Sequence, residues 1–89
     1  MKQVVVTHCL AVWHQHTGSM HQSDKDFFDA HVDDTLKSIN DPFIATQELI
    51  TARLHEHGHQ YDEAIGLASQ IVNAYASRYG IQLASLQKH

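Results

Sequence analysis

Residues 61–80 read YDEAIGLASQIVNAYASRYG, and the period of this stretch decides the fold class. Ala64, Ile65, Ala68, Ile71, Val72, Tyr75 and Tyr79 return at three- and four-residue steps, which places them on one stripe of an α-helix. Strict alternation, the mark of a half-buried strand, is absent. Asp62 and Glu63 open the segment, where carboxylates favour the positive end of the helix dipole. Arg78 complements the opposite end, and Gly80 supplies a stop. A helix this one-sided needs a second apolar surface to cover its stripe, so the rest of the chain is expected to provide helices.

Two upstream segments fit that demand. In the nearer one, Asp41 is placed to cap and Pro42 suits the first helical position, where its missing N–H is no loss. Phe43, Ile50, Leu54 and His57 then share a stripe, with Ile44 and Leu49 beside it, and Gly58 reads as a C-terminal glycine. The farther segment starts with Ser23 as the expected N-cap and Asp24 and Asp26 in the first turn. Its stripe is Phe28, Val32, Leu36 and Ile39, widened by Phe27 and His31, while Asp29, Asp33, Asp34 and Lys37 form a solvated face. Asn40-Asp41-Pro42 separates the two segments.

Residues 2–16 admit two readings. Val6, Cys9, Leu10 and Trp13 make a helical face, whereas the β-branched run Val4, Val5, Val6, Thr7 favours a strand. A lone strand needs a partner, so the helix is the simpler solution, followed by a break at Thr17-Gly18-Ser19. At the other end, Ile81, Leu83 and Leu86 could add a half-buried final turn. Short connections between amphipathic helices make neighbours antiparallel. The expectation is all-α: a single domain over residues 1–89, built as a small antiparallel bundle of three to four helices, with 1–22 the segment of uncertain structure.

Composition narrows the function classes. The chain has 89 residues, 43% hydrophobic and 18% charged, as in a globular domain with one small core. No apolar run approaches the ~20 residues that cross a bilayer, so no membrane span is expected. The opening MKQVVVTHCLAVW has a short apolar run, but His8 interrupts it and no small-x-small cleavage pattern follows. A cytoplasmic location is therefore expected, in keeping with the single cysteine, Cys9, which reads as a small buried residue. The net charge is −4 with histidines neutral, and the six basic residues are scattered. Nucleic-acid binding, which needs clustered cations, is not expected. Trp13 is read as a core anchor.

His55-Glu56-His57-Gly58-His59 matches H-E-x-x-H, in which two imidazoles one helical turn apart hold zinc and the glutamate activates a bound water. The match makes His55 and His59 the metal candidates. The spacing is right, but no motif marks a third ligand: no Asp or Glu follows Glu63, the only later histidine is His89, and position 65, where the extended motif places histidine, is Ile65. An upstream ligand such as His31 or Asp34 has no motif behind it. With nine histidines in the chain, such a match has little specificity. HEHGH is therefore expected to be the polar C-terminal turn of a helix, with no catalytic residue and no cofactor. A histidine-rich protein that takes up zinc, nickel or copper through His14, His16, His55, His57 or His59 is the alternative, and a hydrolase the more distant one.

The run AIGLASQIVNAYASRYGIQLASLQK, residues 64–88, resembles the C-terminal part of the immunity proteins that protect lactic acid bacteria against pediocin-like bacteriocins (the enterocin A immunity family). Ile65, Ile71 or Val72, Ala74, Tyr75, Tyr79, Gly80, Ile81 and Leu83 carry the likeness, and the helical segments DKDFFDAHVDDTLKSIN and PFIATQELITARLHEHG precede it at similar lengths. The chain departs from that family in being acidic rather than basic, in having a shorter last segment, and in residues 1–22, which have no counterpart. The resemblance implies a non-enzymatic cytosolic four-helix bundle that recognises a protein partner, a bacteriocin-loaded membrane permease. It places partner binding around Tyr75, Arg78, Tyr79, Ile81 and Leu83. Self-association is a further expectation, because so small a core gains from a homodimer.

Overall fold

The computed structural model describes residues 2–79, which form four helices: α1 Lys2–Thr17, α2 Gln22–Ser38, α3 Pro42–Glu56 and α4 Tyr61–Tyr79. No strand occurs among the described residues, so the all-α expectation holds. Residues 2–16 take the helical of their two readings. Successive helices reverse direction, which end contacts make plain. Lys2 at the start of α1 reaches Asp33 late in α2, Asp24 at the start of α2 reaches Arg53 late in α3, and His55 late in α3 meets Tyr61 at the start of α4.

Local sequence explains the breaks. Asp41 accepts hydrogen bonds from the backbone N–H groups of Phe43 (2.8 Å) and Ile44 (3.3 Å), and Pro42 takes the first helical position, as expected. At the far end of α3, Gly58 has φ +100°, a conformation that costs little only without a Cβ. There the Gly58 N–H donates to the His55 carbonyl and the His59 N–H to the Leu54 carbonyl, the paired closure of a Schellman cap. The start of α2 differs from expectation. Ser23 is not the N-cap. The helix begins at Gln22 with His21 as cap, and the Asp24 carboxylate reaches back to accept the His21 N–H at 3.2 Å, which satisfies one of the donors that a helix start leaves over.

The core has an uneven plan. α1 and α3 each touch all three other helices, whereas α2 and α4 share no contact. They lie on opposite flanks of a central α1–α3 pair. α3 is consequently buried nearly all round, through Phe43, Ala45, Thr46, Leu49, Ile50, Thr51, Arg53 and Leu54. A single stripe was expected there, and Ile44, placed beside it, is exposed instead. α1 contributes Val5, Val6, Cys9, Val12 and Trp13, and α2 contributes Phe28 and Val32. In α4 the buried line is Ala64, Ala68, Val72 and Ala76 at strict four-residue spacing. Ile65, expected in this stripe, is 44% exposed, while Leu67, Ile71 and Tyr75 line one flank, half-buried. Small side chains let two helix axes approach closely, so α4 rests on its neighbours along a narrow ridge.

One polar cluster penetrates this apolar interior. Arg53 donates from Nε (3.1 Å) and Nη2 (2.7 Å) to the same Asp24 oxygen, with both side chains buried. Its guanidinium carbon lies 4.9 Å from the Phe27 ring centre and 5.9 Å from that of Trp13, within the range of cation–π attraction. Sequence reasoning placed Asp24 in the first turn without a buried partner, because nothing local marks which of five aspartates in that helix turns inward.

Two stability measurements test this account. Asp24→Ala is expected to cost about 3–5 kcal/mol in urea unfolding, since it strands a buried guanidinium and removes a capping contact. Glycine substitutions should split by position: Gly58→Ala destabilises by roughly 1–2 kcal/mol, while Gly66→Ala stabilises by about 0.5–1 kcal/mol. Gly66 lies within α4, and a Cβ there meets nothing within 4 Å.

Candidate functional site

The H-E-x-x-H stretch fails to build the geometry its spacing suggests. Zinc chelation by this motif needs a helix that continues through the second histidine, so that both imidazoles project from one face. Here α3 stops at Glu56, His57 is the C-cap and Gly58 turns the chain away, leaving His59 beyond the helix. The His55 ring is engaged locally, with Nδ1 3.0 Å from the His59 carbonyl and the ring edge-on to Tyr61 at 5.9 Å. Glu56 is exposed. Among the described residues no group of three or more His, Cys, Asp or Glu side chains is placed to hold a metal ion. HEHGH is thus the C-terminal cap of α3, as the sequence reading anticipated, and the paired histidines are parts of that cap.

The other chemically capable side chains are mostly occupied by structure. Cys9 is fully buried, and burial pushes its thiol well above the ordinary range, with the Thr46 hydroxyl only partly offsetting the effect. Three of the five aspartates of α2 are tied into surface pairs: Lys2 with Asp33, Lys25 with Asp29 and Lys37 with Asp34. Such exposed pairs add little stability. His31, expected at the core edge, is exposed and lies against Phe27 with ring centres 4.4 Å apart. Trp13 is a core residue at 5% exposure, as expected. An open hollow of ≈ 340 Å³ follows the α1–α2 seam, with Val6 and Leu10 beneath and Lys2, Gln3, Thr7, Lys25 and Asp29 around it. Its two lysines already have carboxylate partners.

The expected partner-binding residues fall at the end of α4. Tyr75 is half-buried against the core and Arg78 is exposed, and neither is without a partner. Tyr79 closes the helix, while Ile81 and Leu83 lie outside the described residues, together with the expected final turn through Leu86. The structure also shows exposed apolar side chains on α4, one of which, Ile65, periodicity had assigned to the stripe. Tyr61 (49%) and Ile65 (44%) form an outward edge at the opposite end of α4, roughly 15 Å from Tyr75 by helical rise. The signal for this shift was the four-residue spacing of Ala64, Ala68, Val72 and Ala76, masked by the larger residues beside it. No helix is long and apolar enough to cross a membrane among the described residues.

The chain matches no family model, no curated protein and no solved structure.

His8 adds one electrostatic feature. Its Nδ1 is buried without a hydrogen-bond partner, and burial lowers its pKa below 6.5. The unfolded chain therefore takes up this proton more readily than the folded one, and stability falls as pH drops through and below the unfolded value. Melting temperature is expected to decrease between about pH 7.5 and about pH 5. His8→Gln, which cannot charge, should flatten that slope; an unchanged slope would show that His8 does not contribute to it.

Proposed function

We propose that this chain is a non-enzymatic, cytosolic helical-bundle protein that acts by binding another protein, in the manner of the bacteriocin immunity proteins its last third resembles. One observation carries the reading: α4 is held by its neighbours along a ridge of small residues, makes no contact with α2, and keeps large side chains at its edges. Tyr61, Ile65, Tyr75 and Arg78 thereby belong to a helix with much of its circumference turned outward. Aromatic and arginine side chains of this sort are enriched where proteins bind one another. The partner proposed from the resemblance is a bacteriocin-loaded permease, approached from the cytoplasmic face, with Tyr75, Arg78, Tyr79, Ile81 and Leu83 as the recognition end.

The commitment of Cys9, Asp24, Arg53, His55 and His59 to packing, pairing or capping supports a binding role over catalysis by the H-E-x-x-H stretch. Expression of the chain in a strain sensitive to pediocin-like bacteriocins tests the proposal. Survival is expected to rise against at least one member of a bacteriocin panel, and Arg78→Ala is expected to reduce that protection in a variant whose thermal melt shows that it still folds. Absence of protection across the whole panel would remove the immunity assignment.

A further inference from the structure

We infer that the end of the bundle where α1 and α3 terminate is an open site for a divalent transition-metal ion, with the imidazoles of His16 and His57 as its protein ligands. This goes beyond the binding role proposed above and does not depend on it. Six of the nine histidines fall in two tracts far apart in sequence: His14, His16 and His21, then His55, His57 and His59. Both His16 and His57 belong to C-terminal ends, the first to the last turn of α1 and the second to the cap of α3. Because α1 and α3 run parallel, those two ends come together.

Trp13 records the meeting. Its ring centre lies 6.0 Å from that of His16 and 5.4 Å from that of His57, so two imidazoles from different helices flank one indole. Both residues are exposed, so an ion can reach their imidazoles from solvent. His55 is differently placed, since its Nδ1 already faces the His59 carbonyl. The spacing that looked most like a metal motif is thus used in a cap. The pairing with better access to an ion is one that only the fold creates.

The ligand set dictates the kind of site. Neutral imidazole suits copper, nickel and zinc, with copper(II) bound most strongly of the three. No third His, Cys or carboxylate among the described residues completes the group, so water fills the remaining positions and the ion exchanges readily. The Arg53 guanidinium, 5.9 Å from the same indole, is paired with Asp24. An ion held by His16 and His57 ties the last turn of α1 to the cap of α3, and binding to the folded state alone raises stability.

The chain's single tryptophan makes the test direct, because copper(II) quenches an indole beside it. Titration of the full chain, free of any polyhistidine tag, with copper(II) sulfate is expected to give saturable quenching at one ion per chain. His16→Gln or His57→Gln should weaken binding by about tenfold or more, whereas His14→Gln and His59→Gln should leave it within about twofold. Zinc should raise the melting temperature of the parent protein and not that of the His16→Gln/His57→Gln double variant. Melts without metal check that the variants fold, and His57→Asn, suited to a helix C-terminus, replaces His57→Gln if the latter unfolds. Quenching that survives both ligand substitutions, or falls equally with His14→Gln and His59→Gln, means an adventitious ion only and overturns the site.

Discussion

The buried contact between Arg53 and Asp24 constrains this bundle more than any apolar pair does. It joins the C-terminal half of α3 to the first turn of α2, and the Asp24 oxygen not used by Arg53 accepts the His21 N–H that opens that turn. Trp13 from α1 and Phe27 from α2 flank the guanidinium. Three helices must therefore reach correct register before the charge is satisfied. Hydrophobic residues of similar volume would often be as stabilising as a buried ion pair. What an ion pair adds is intolerance of alternatives, because a slipped helix leaves a charge stranded in an apolar interior. In a chain whose other interior groups are mostly small or aliphatic, this is the clearest source of a single arrangement.

Around that point, the unequal standing of the helices follows from their surfaces. α3 carries apolar or small side chains on most of its circumference and is enclosed by the other three. α1 places Val5, Val12, Cys9 and Trp13 against it. The β-branched residues that made a strand conceivable are accommodated because tertiary burial outweighs a modest difference in helix propensity. α2 and α4 bury less and remain on the flanks, α2 with a charged face and α4 with aromatic and aliphatic edges. The parts of the surface with the most chemical character, the α4 edge and the histidine-rich end, both arise from this layout.

Much of the fold was legible because helix period and chain breaks are local. The Asp41-Pro42 start of α3, the Gly58 stop and the Tyr61 start of α4 were each readable from a few neighbouring residues. Partnership across the chain was not. Nothing near Asp24 distinguishes it from Asp26 or Asp29, since its role is set by an arginine 29 positions away. The buried line of α4 was misjudged for a related reason: hydrophobicity ranks Ile65 above Ala76, but a helix lying on a narrow ridge selects by direction and size. The histidine motif shows the converse error. A sequence spacing compatible with zinc described a helix that the adjacent glycine had already ended.

The α4 ridge has a consequence for mechanical specificity. Along Ala64, Ala68, Val72 and Ala76, each step of four residues presents almost the same shape to the central pair. Sliding by one turn, about 5.4 Å, would set Ala68 where Ala64 had been, but would put Val72 in the place of Ala68 and Ala76 in that of Val72. Val72 is the exception on the ridge, and Tyr75, larger than Leu67 and Ile71, is the exception on its flank. The longitudinal position of the outermost helix is therefore indexed by a handful of side chains, with one valine acting as the tooth of a ratchet.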